Sequence, residues 1–306
     1  MKLATITSLF VLTLVFTTYS ASEAQSGSWT HTDGPYGGSV RALHLSGDGL
    51  MLAGTLGQGI LFSNDGGQSW LQSNLENVSV YDFAHGSGRT YFAATQNGVY
   101  RSDNNGRSWQ RTSGGMEETR VQSVLVHEEG LVFAATLVGG IYVSDDNGSS
   151  WQEASEGLSI SFAYALSQLA DGTVLAGVAN RIYRSEDGGG QWMPAESGFP
   201  HVRTNAFAAT ADELLYAGTQ NGVYRSEDGG QSWQETGNQF ADTEVYDLVT
   251  TGEGVIYAAT RNGVYASADE GATWELDGLS SQPVYSLGHG GGVAAAGANP
   301  GVYTRN

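Results

Sequence analysis

The chain has 306 residues, of which 44 are glycine and only 15% are charged, and its formal net charge is −19 at pH 7. A surface this acidic repels phosphate backbones and anionic headgroups, so we expect neither nucleic acid nor a membrane surface as a partner. The sequence contains no cysteine, which excludes disulfides and thiol nucleophiles. Frequent glycine and the scarcity of helical periodicity favour an all-β fold of short strands and tight turns.

The N-terminal segment has the pattern of an export signal. Lys2 precedes an apolar run over Leu9–Phe16, and the small residues of the segment 21–24 follow. The run is too short to span a bilayer, and small residues stand before the expected cut. The pattern predicts a signal peptide over residues 1–24, cleaved near Ala24, and an exported periplasmic or extracellular protein without membrane insertion.

Tryptophan marks a repeat along the rest of the chain. Successive tryptophans are 39 to 42 residues apart, and they are Trp29, Trp70, Trp109, Trp151, Trp192, Trp233 and Trp274. Six of them end the pattern Ser-x-Asp-x-Gly-x-x-Trp, in which Asn104 replaces Asp once. An Asp side chain can accept hydrogen bonds from the backbone of its own turn, glycine allows a left-handed residue, and the indole ring packs against neighbouring strands. We expect Asn104 to keep the acceptor role.

Each repeat contains four strand patterns. In the second repeat they cover residues 80–84, 90–94, 98–102 and 108–111, and a unit of four strands in about 40 residues is typical of a propeller blade. The seventh repeat ends before its outer strand, and residues 28–31 supply the missing pattern at the other end of the chain. The sequence therefore predicts one domain over residues 25–306, a seven-bladed β-propeller whose N-terminal strand completes the last blade and closes the sheet edges.

The six Ser-x-Asp-x-Gly-x-x-Trp copies resemble the Asp-box, or BNR, repeat of sialidases, sortilin-type receptors, some xyloglucanases and photosystem II assembly-factor-like propellers. The resemblance spans about residues 28–306. It implies the propeller fold and carries little information about activity, because one fold supports many functions.

When the seven repeats are aligned with one another, the positions (columns) whose residues vary indicate where function lies. We expect the repeated Asp turns on one face of the propeller and the loops leading into each first strand on the opposite face. Near the start of the innermost strands, a ring of large polar and aromatic side chains surrounds the channel: Arg41, Tyr81, Gln122, Tyr164, Asn205, Tyr246 and Tyr285. Such groups suit the binding of a sugar or a peptide. The alternative is that they plug the channel and satisfy one another.

Three arginines add to this candidate ligand site. Arg120 and Arg203 lie in loops leading into first strands, and Arg181 occupies a column that is glycine in the other six repeats. Asp82 and Asp247 replace a small residue of the innermost strand, where they act as acid and base, hold a cation, or simply pair with arginine or water.

These residues are compatible with two functions. The first is a binding or scaffolding module for a protein or carbohydrate ligand, expected to be a monomer without metal or other cofactor. The Asp turns lack the closing Glu of calcium loops, so we expect no bound calcium. The second is a sialidase-like glycoside hydrolase, in which Arg41, Arg120, Arg203, Tyr246, Glu244 and Asp82 take the catalytic roles that the resemblance implies. Seven repeats instead of six blades, short loops, and the lack of an Arg-Ile-Pro segment before the first Asp turn favour the binding module.

Overall fold

The repeats fold into seven four-stranded antiparallel sheets arranged around a central channel. The structure, a computed structural model, describes residues 28–117, 120–237 and 243–305. All regular elements in these residues are strands, which confirms the all-β, seven-bladed prediction. The described residues include no helix that is long and apolar enough to cross a membrane.

The first four blades follow one another along the chain, and in each of them the chain runs from the innermost to the outermost strand. Blade 1 contains β2 (Val40–Leu45), β3 (Met51–Thr55), β4 (Ile60–Ser63) and β5 (Leu71–Gln72). Blade 2 contains β6 (Val80–His85), β7 (Tyr91–Thr95), β8 (Gly98–Ser102) and β9 (Gln110–Arg111). Blade 3 contains β10 (Val121–Val126), β11 (Val132–Thr136), β12 (Ile141–Ser144) and β13 (Gln152–Glu153). Blade 4 contains β14 (Ala163–Gln168), β15 (Val174–Val178), β16 (Arg181–Ser185) and β17 (Met193–Pro194).

The remaining blades complete the ring. Blade 5 contains β18 (Thr204–Ala209), β19 (Leu215–Thr219), β20 (Gly222–Ser226) and β21 (Gln234–Glu235). Blade 6 contains β22 (Val245–Thr250), β23 (Ile256–Thr260), β24 (Gly263–Ser267) and β25 (Glu275–Gly278). Blade 7 contains β26 (Val284–Gly290), β27 (Val293–Ala298), β28 (Val302–Arg305) and β1 (Thr30–His31).

The hydrophobic core lies between adjacent blades. Every residue of the second strand is buried in blades 1 to 6, whereas the fourth strands are largely exposed. Phe92 of blade 2 packs in one cluster with Trp151 of blade 3, and Val40 of blade 1 packs with Ala295 of blade 7. Sheets buried on both faces therefore stabilise each other around the whole ring.

The N-terminal strand closes the ring as predicted. Strand β1 pairs with β28, with Thr30 opposite Thr304 and His31 opposite Tyr303. The paired segment is two residues long, shorter than the four residues that the pattern predicts.

A buried ion pair stabilises the closure. The Asp277 carboxylate, in β25 of blade 6, accepts a hydrogen bond of 2.8 Å from Trp29 Nε1 and forms an ion pair with Arg305 of β28. The two charged side chains are only 12% and 8% exposed. One carboxylate thus joins the N-terminal segment, the last strand and the preceding blade.

The repeated Asp turns have the predicted local geometry. In blade 1, Ser63 Oγ donates to Asp65 Oδ1 at 2.7 Å, and the backbone N–H of Ser69 donates to the same oxygen at 2.9 Å. Hydrogen bonds from the Ser69 side chain and then from Ser63 lower the pKa of Asp65 to about 2. In blade 2, Asn104 Oδ1 accepts from the Ser108 N–H at 2.9 Å, and its amide donates to Ser108 Oγ. The substitution therefore keeps the acceptor, as predicted.

Candidate functional site

A one-residue β-bulge near the start of every first strand creates the ring of side chains around the channel. In blade 1, the register of pairing with the second strand shifts between Val40 and Ala42, and the other six blades show the same shift. A bulge leaves one residue unpaired and changes the direction of its side chain. The seven unpaired residues are Arg41, Tyr81, Gln122, Tyr164, Asn205, Tyr246 and Tyr285, and all of them line one cavity of about 160 Å³ in the channel.

Neighbouring side chains of this ring contact one another. The Arg41 guanidinium lies 3.7 Å from the centre of the Tyr285 ring, and the Tyr285 and Tyr246 rings are 5.4 Å apart. Among the described residues, the buried atoms Arg41 Nε and Gln122 Nε2 have no hydrogen-bond partner. The side chains thus hold each other in place, and two buried donors of the ring are left without an acceptor.

Arg203 is held at the edge of the ring. Its Nε donates to Asn205 Oδ1 at 2.8 Å, and its Nη2 binds Glu244 Oε1 at 2.5 Å. The guanidinium also lies 5.4 Å from the centre of the Tyr164 ring. Hydrogen bonds and an aromatic face thus fix the position of a cation that stays partly exposed.

Like Arg203, Arg120 lies over a tyrosine ring of the preceding blade, whereas Arg181 lies away from the ring. The Arg120 guanidinium lies 5.7 Å from the centre of the Tyr81 ring, in the preceding blade. Arg181 is the first residue of β16, outside the channel, where its Nη1 is 2.6 Å from Glu196 Oε1. We name the seven bulged residues together with Arg120 and Arg203 the channel mouth. Arg181 lies on the same face, farther from the channel axis.

A different turn explains how arginine replaces glycine at position 181. The six glycines of this column have left-handed φ angles between 78° and 121°: Gly59, Gly98, Gly140, Gly222, Gly263 and Gly301. In blade 4 the left-handed residue of this turn is Ala179, with φ 51°. The turn has shifted its strained position, so the arginine side chain is accommodated.

Asp82 and Asp247 line the channel below the mouth and bind to the next blade. Asp82 Oδ2 accepts from Ser123 Oγ at 2.7 Å and from the Val124 N–H at 3.0 Å, while Asp247 Oδ2 accepts from the Leu287 N–H at 2.7 Å. Burial raises the pKa of Asp82 to about 6 and that of Asp247 to about 7. Their observed partners are a hydroxyl and backbone amides, where the sequence suggested arginine or water.

Sequence reasoning missed the exposed apolar residues that blades 3 and 4 place on this face. Val138 lies between the second and third strands of blade 3, and Ile160 and Phe162 lie in the loop leading into blade 4. One signal was present in the sequence, because Phe162 stands two residues before Tyr164, just as Arg120 and Arg203 precede their own ring residues by two.

The opposite face is acidic. Each of the six Asp turns carries at least one carboxylate, and the shorter turns between first and second strands add Asp48, Glu128, Glu129, Asp171, Asp212, Glu213 and Glu253. Within the described part of the chain, no group of three or more His, Asp or Glu side chains is arranged to hold a metal ion.

Seven four-stranded blades, closed by a strand from the other end of the chain, define a β-propeller. A family model gives a more specific assignment. The chain belongs to the family of the DUF6242 beta propeller domain, whose model matches residues 88–208 and again residues 173–289, together more than half of the chain. No curated protein matches the sequence significantly.

Solved structures share the fold at low sequence identity. YCF48 bound to D1 peptide superposes with a TM-score of 0.72 and 17% identity, covering 90% of this chain and 96% of that chain. The extracellular domain of BT4673 from B. thetaiotaomicron gives 0.74 and 14%, covering 92% of this chain and 40% of that one. The GH74 xyloglucanase from Xanthomonas campestris gives 0.73 and 16%, covering 92% and 54%. The present chain therefore corresponds to only part of the last two proteins.

Proposed function

We propose that this protein is an exported binding propeller that holds a segment of a partner protein at the channel mouth. The observation that carries the proposal is the ring of seven bulged side chains. They occupy equivalent positions in seven repeated blades, yet they include arginine, glutamine, asparagine and tyrosine. A ring of unlike groups makes an asymmetric surface, and an asymmetric surface can orient a ligand.

The size of the cavity favours a segment of protein over an enclosed small molecule. Small-molecule sites usually enclose about 300–1,000 Å³, whereas the cavity in this channel has about 160 Å³. A ligand would therefore lie mainly across the mouth and insert one small group. The likeness to YCF48, a propeller of almost the same extent with a peptide bound, is compatible with this mode.

The distribution of charge favours an acidic partner segment. Arg41, Arg120 and Arg203, the last of them paired with Glu244, lie at the mouth of a chain with a net charge of −19, while the Asp turns of the opposite face carry carboxylates. A carboxylate-bearing segment is attracted to the first face and repelled by the second. Because these contacts are partly ionic and exposed, we expect the affinity to fall as the salt concentration rises.

The environment of Tyr246 argues against the sialidase-like alternative. A tyrosine nucleophile needs a base that lowers the barrier to losing its proton. Burial, followed by the negative charge of Glu244, raises the pKa of Tyr246, so a free carboxylate would have to take its proton. Glu244 is itself bound to Arg203. We therefore expect no hydrolysis of sialosides or β-glucans by residues 25–306, and activity that disappears in Tyr246→Phe would contradict the proposal.

A library of random displayed peptides, screened beside a glycan array on residues 25–306, tests the proposed binding. The affinity of an enriched peptide is then measured for Arg203→Ala, Tyr246→Ala and Asp228→Ala at matched folded fraction. We expect the first two changes to weaken binding and Asp228→Ala, in an Asp turn, to leave it unchanged. Loss of binding in Asp228→Ala alone would place the site on the face of the Asp turns and contradict the proposal.

Export is tested separately on the full chain. We expect protein recovered from outside the cytoplasm of a bacterial host to begin at Gln25, because the segment 21–24 carries the small residues of a cleavage site. Recovery of the full-length chain from the cytoplasm alone would contradict it.

A further inference from the structure

An apolar patch adjoins the channel mouth at blades 3 and 4. Val138, Ile160 and Phe162 are 54%, 45% and 42% exposed. Among the other exposed apolar residues, Leu56 lies on the same face but in blade 1, whereas Met193 belongs to a fourth strand at the outer rim of the propeller. Scattered apolar residues on a surface are ordinary, but neighbouring ones beside a binding surface indicate a contact site.

Backbone hydrogen bonds hold the patch in place. The Gly140 N–H, two residues after Val138, donates to the carbonyl of Ser161 at 2.8 Å, which ties the blade 3 turn to the loop carrying Ile160 and Phe162. The Ala179 N–H donates to the Phe162 carbonyl at 2.6 Å. The two segments are thus fixed to each other before any ligand binds, which reduces the entropic cost of binding.

Cations flank the patch on both sides along the ring. Arg120, Phe162 and Arg203 occupy the same position, two residues before the bulge, in the consecutive blades 3, 4 and 5. We name this series, together with Val138 and Ile160, the Phe162 arc. A guanidinium, an apolar surface and a second guanidinium therefore follow one another at the edge of the mouth.

The geometry points to an extended peptide in which a large apolar residue lies between acidic residues as the ligand of the Phe162 arc. This inference rests on the proposed function and specifies its ligand. The apolar side chain packs on Phe162, Ile160 and Val138, while the flanking carboxylates approach Arg120 and Arg203. Charge complementarity favours this partner, because a basic segment would instead be drawn to the acidic Asp turns.

Selection of random displayed dodecapeptides tests the inference on residues 25–306. Separate selections use the wild type, Phe162→Ser, Arg203→Gln and the control Met193→Ser, which removes an exposed apolar side chain far from the mouth. We expect wild type and Met193→Ser to enrich peptides with a large apolar residue between Asp or Glu residues. Phe162→Ser should enrich acidic peptides without the apolar residue, and Arg203→Gln should lose the acidic preference.

A synthetic peptide taken from the wild-type pool provides the affinity. We expect Phe162→Ser to raise its Kd about tenfold, as truncation of an apolar anchor usually does. Met193→Ser should leave the Kd unchanged. Peptides whose binding is weakened by Tyr246→Ala but not by Phe162→Ser would overturn the Phe162 arc as the binding site and leave the proposed function intact. The absence of any enriched peptide would overturn both.

Discussion

Removing the Asp277 carboxylate should open the ring closure and cost a large share of the stability. Asp277→Ala leaves the Arg305 guanidinium in a site where it is only 8% exposed, and it also removes the acceptor of Trp29 Nε1. Loss of one partner of a buried ion pair typically costs about 3–5 kcal/mol, and the indole hydrogen bond adds about 1 kcal/mol. At about 2–4 °C for each kcal/mol in a domain of this size, the melting temperature should fall by about 10 °C or more.

Urea unfolding followed by circular dichroism measures the change. The control is Asp103→Ala, because Asp103 pairs with Arg101 at 2.8 Å but is 62% exposed, and such exposed pairs contribute about 0–1 kcal/mol. The double change Asp277→Leu with Arg305→Met should recover part of the loss, since it leaves no buried charge without its partner. Equal small losses in Asp277→Ala and Asp103→Ala would refute the argument that this ion pair stabilises the closure.

Three further changes test the fold and its titration. Deletion of residues 25–33 should expose the edge of β28 and lower both solubility and melting temperature, and unchanged values would contradict the closure by β1. Trp233→Ala should lower the free energy of unfolding by about 3–5 kcal/mol in urea, because the indole is 2% exposed; a loss near zero would contradict its role in the core. Burial raises the pKa of Asp247 to about 7 and that of Asp82 to about 6, so each folded-state carboxyl binds its proton more tightly than in the unfolded chain. The contribution of these protonated carboxyls to the free energy of unfolding is complete below about pH 4 and is lost as the pH rises through 7, by about 1.4 kcal/mol per pKa unit. Urea unfolding at pH 4, 6 and 8 should show a smaller decline in Asp247→Ala than in the wild type. An equal decline in both proteins would contradict the shift.

The repeat made the fold accessible from the sequence. Each Ser-x-Asp-x-Gly-x-x-Trp copy specifies a local turn, so its hydrogen bonds follow from the residues themselves, as Ser63 and Asp65 show. The predicted second blade agrees with the observed strands to within one residue at most ends. Its fourth strand is shorter than predicted because Ser108 and Trp109 still belong to the turn.

The site was less accessible because it depends on register and on contacts between blades. The ring positions were visible as a variable column, but the bulge that exposes Arg41 and its equivalents follows from strand pairing. The partners of Asp82 lie in the next blade, about 40 residues along the chain, and no local pattern specifies them. Only the structure shows that Phe162, in the loop leading into blade 4, is 42% exposed.

Amide hydrogen exchange, with and without a peptide enriched on residues 25–306, tests ligand binding at the channel mouth, because it reports which face the ligand covers. We expect slower exchange in the loops leading into the first strands, around residues 120–122, 160–164 and 203–205, and unchanged exchange in the six Asp turns. Protection confined to the Asp turns would contradict it.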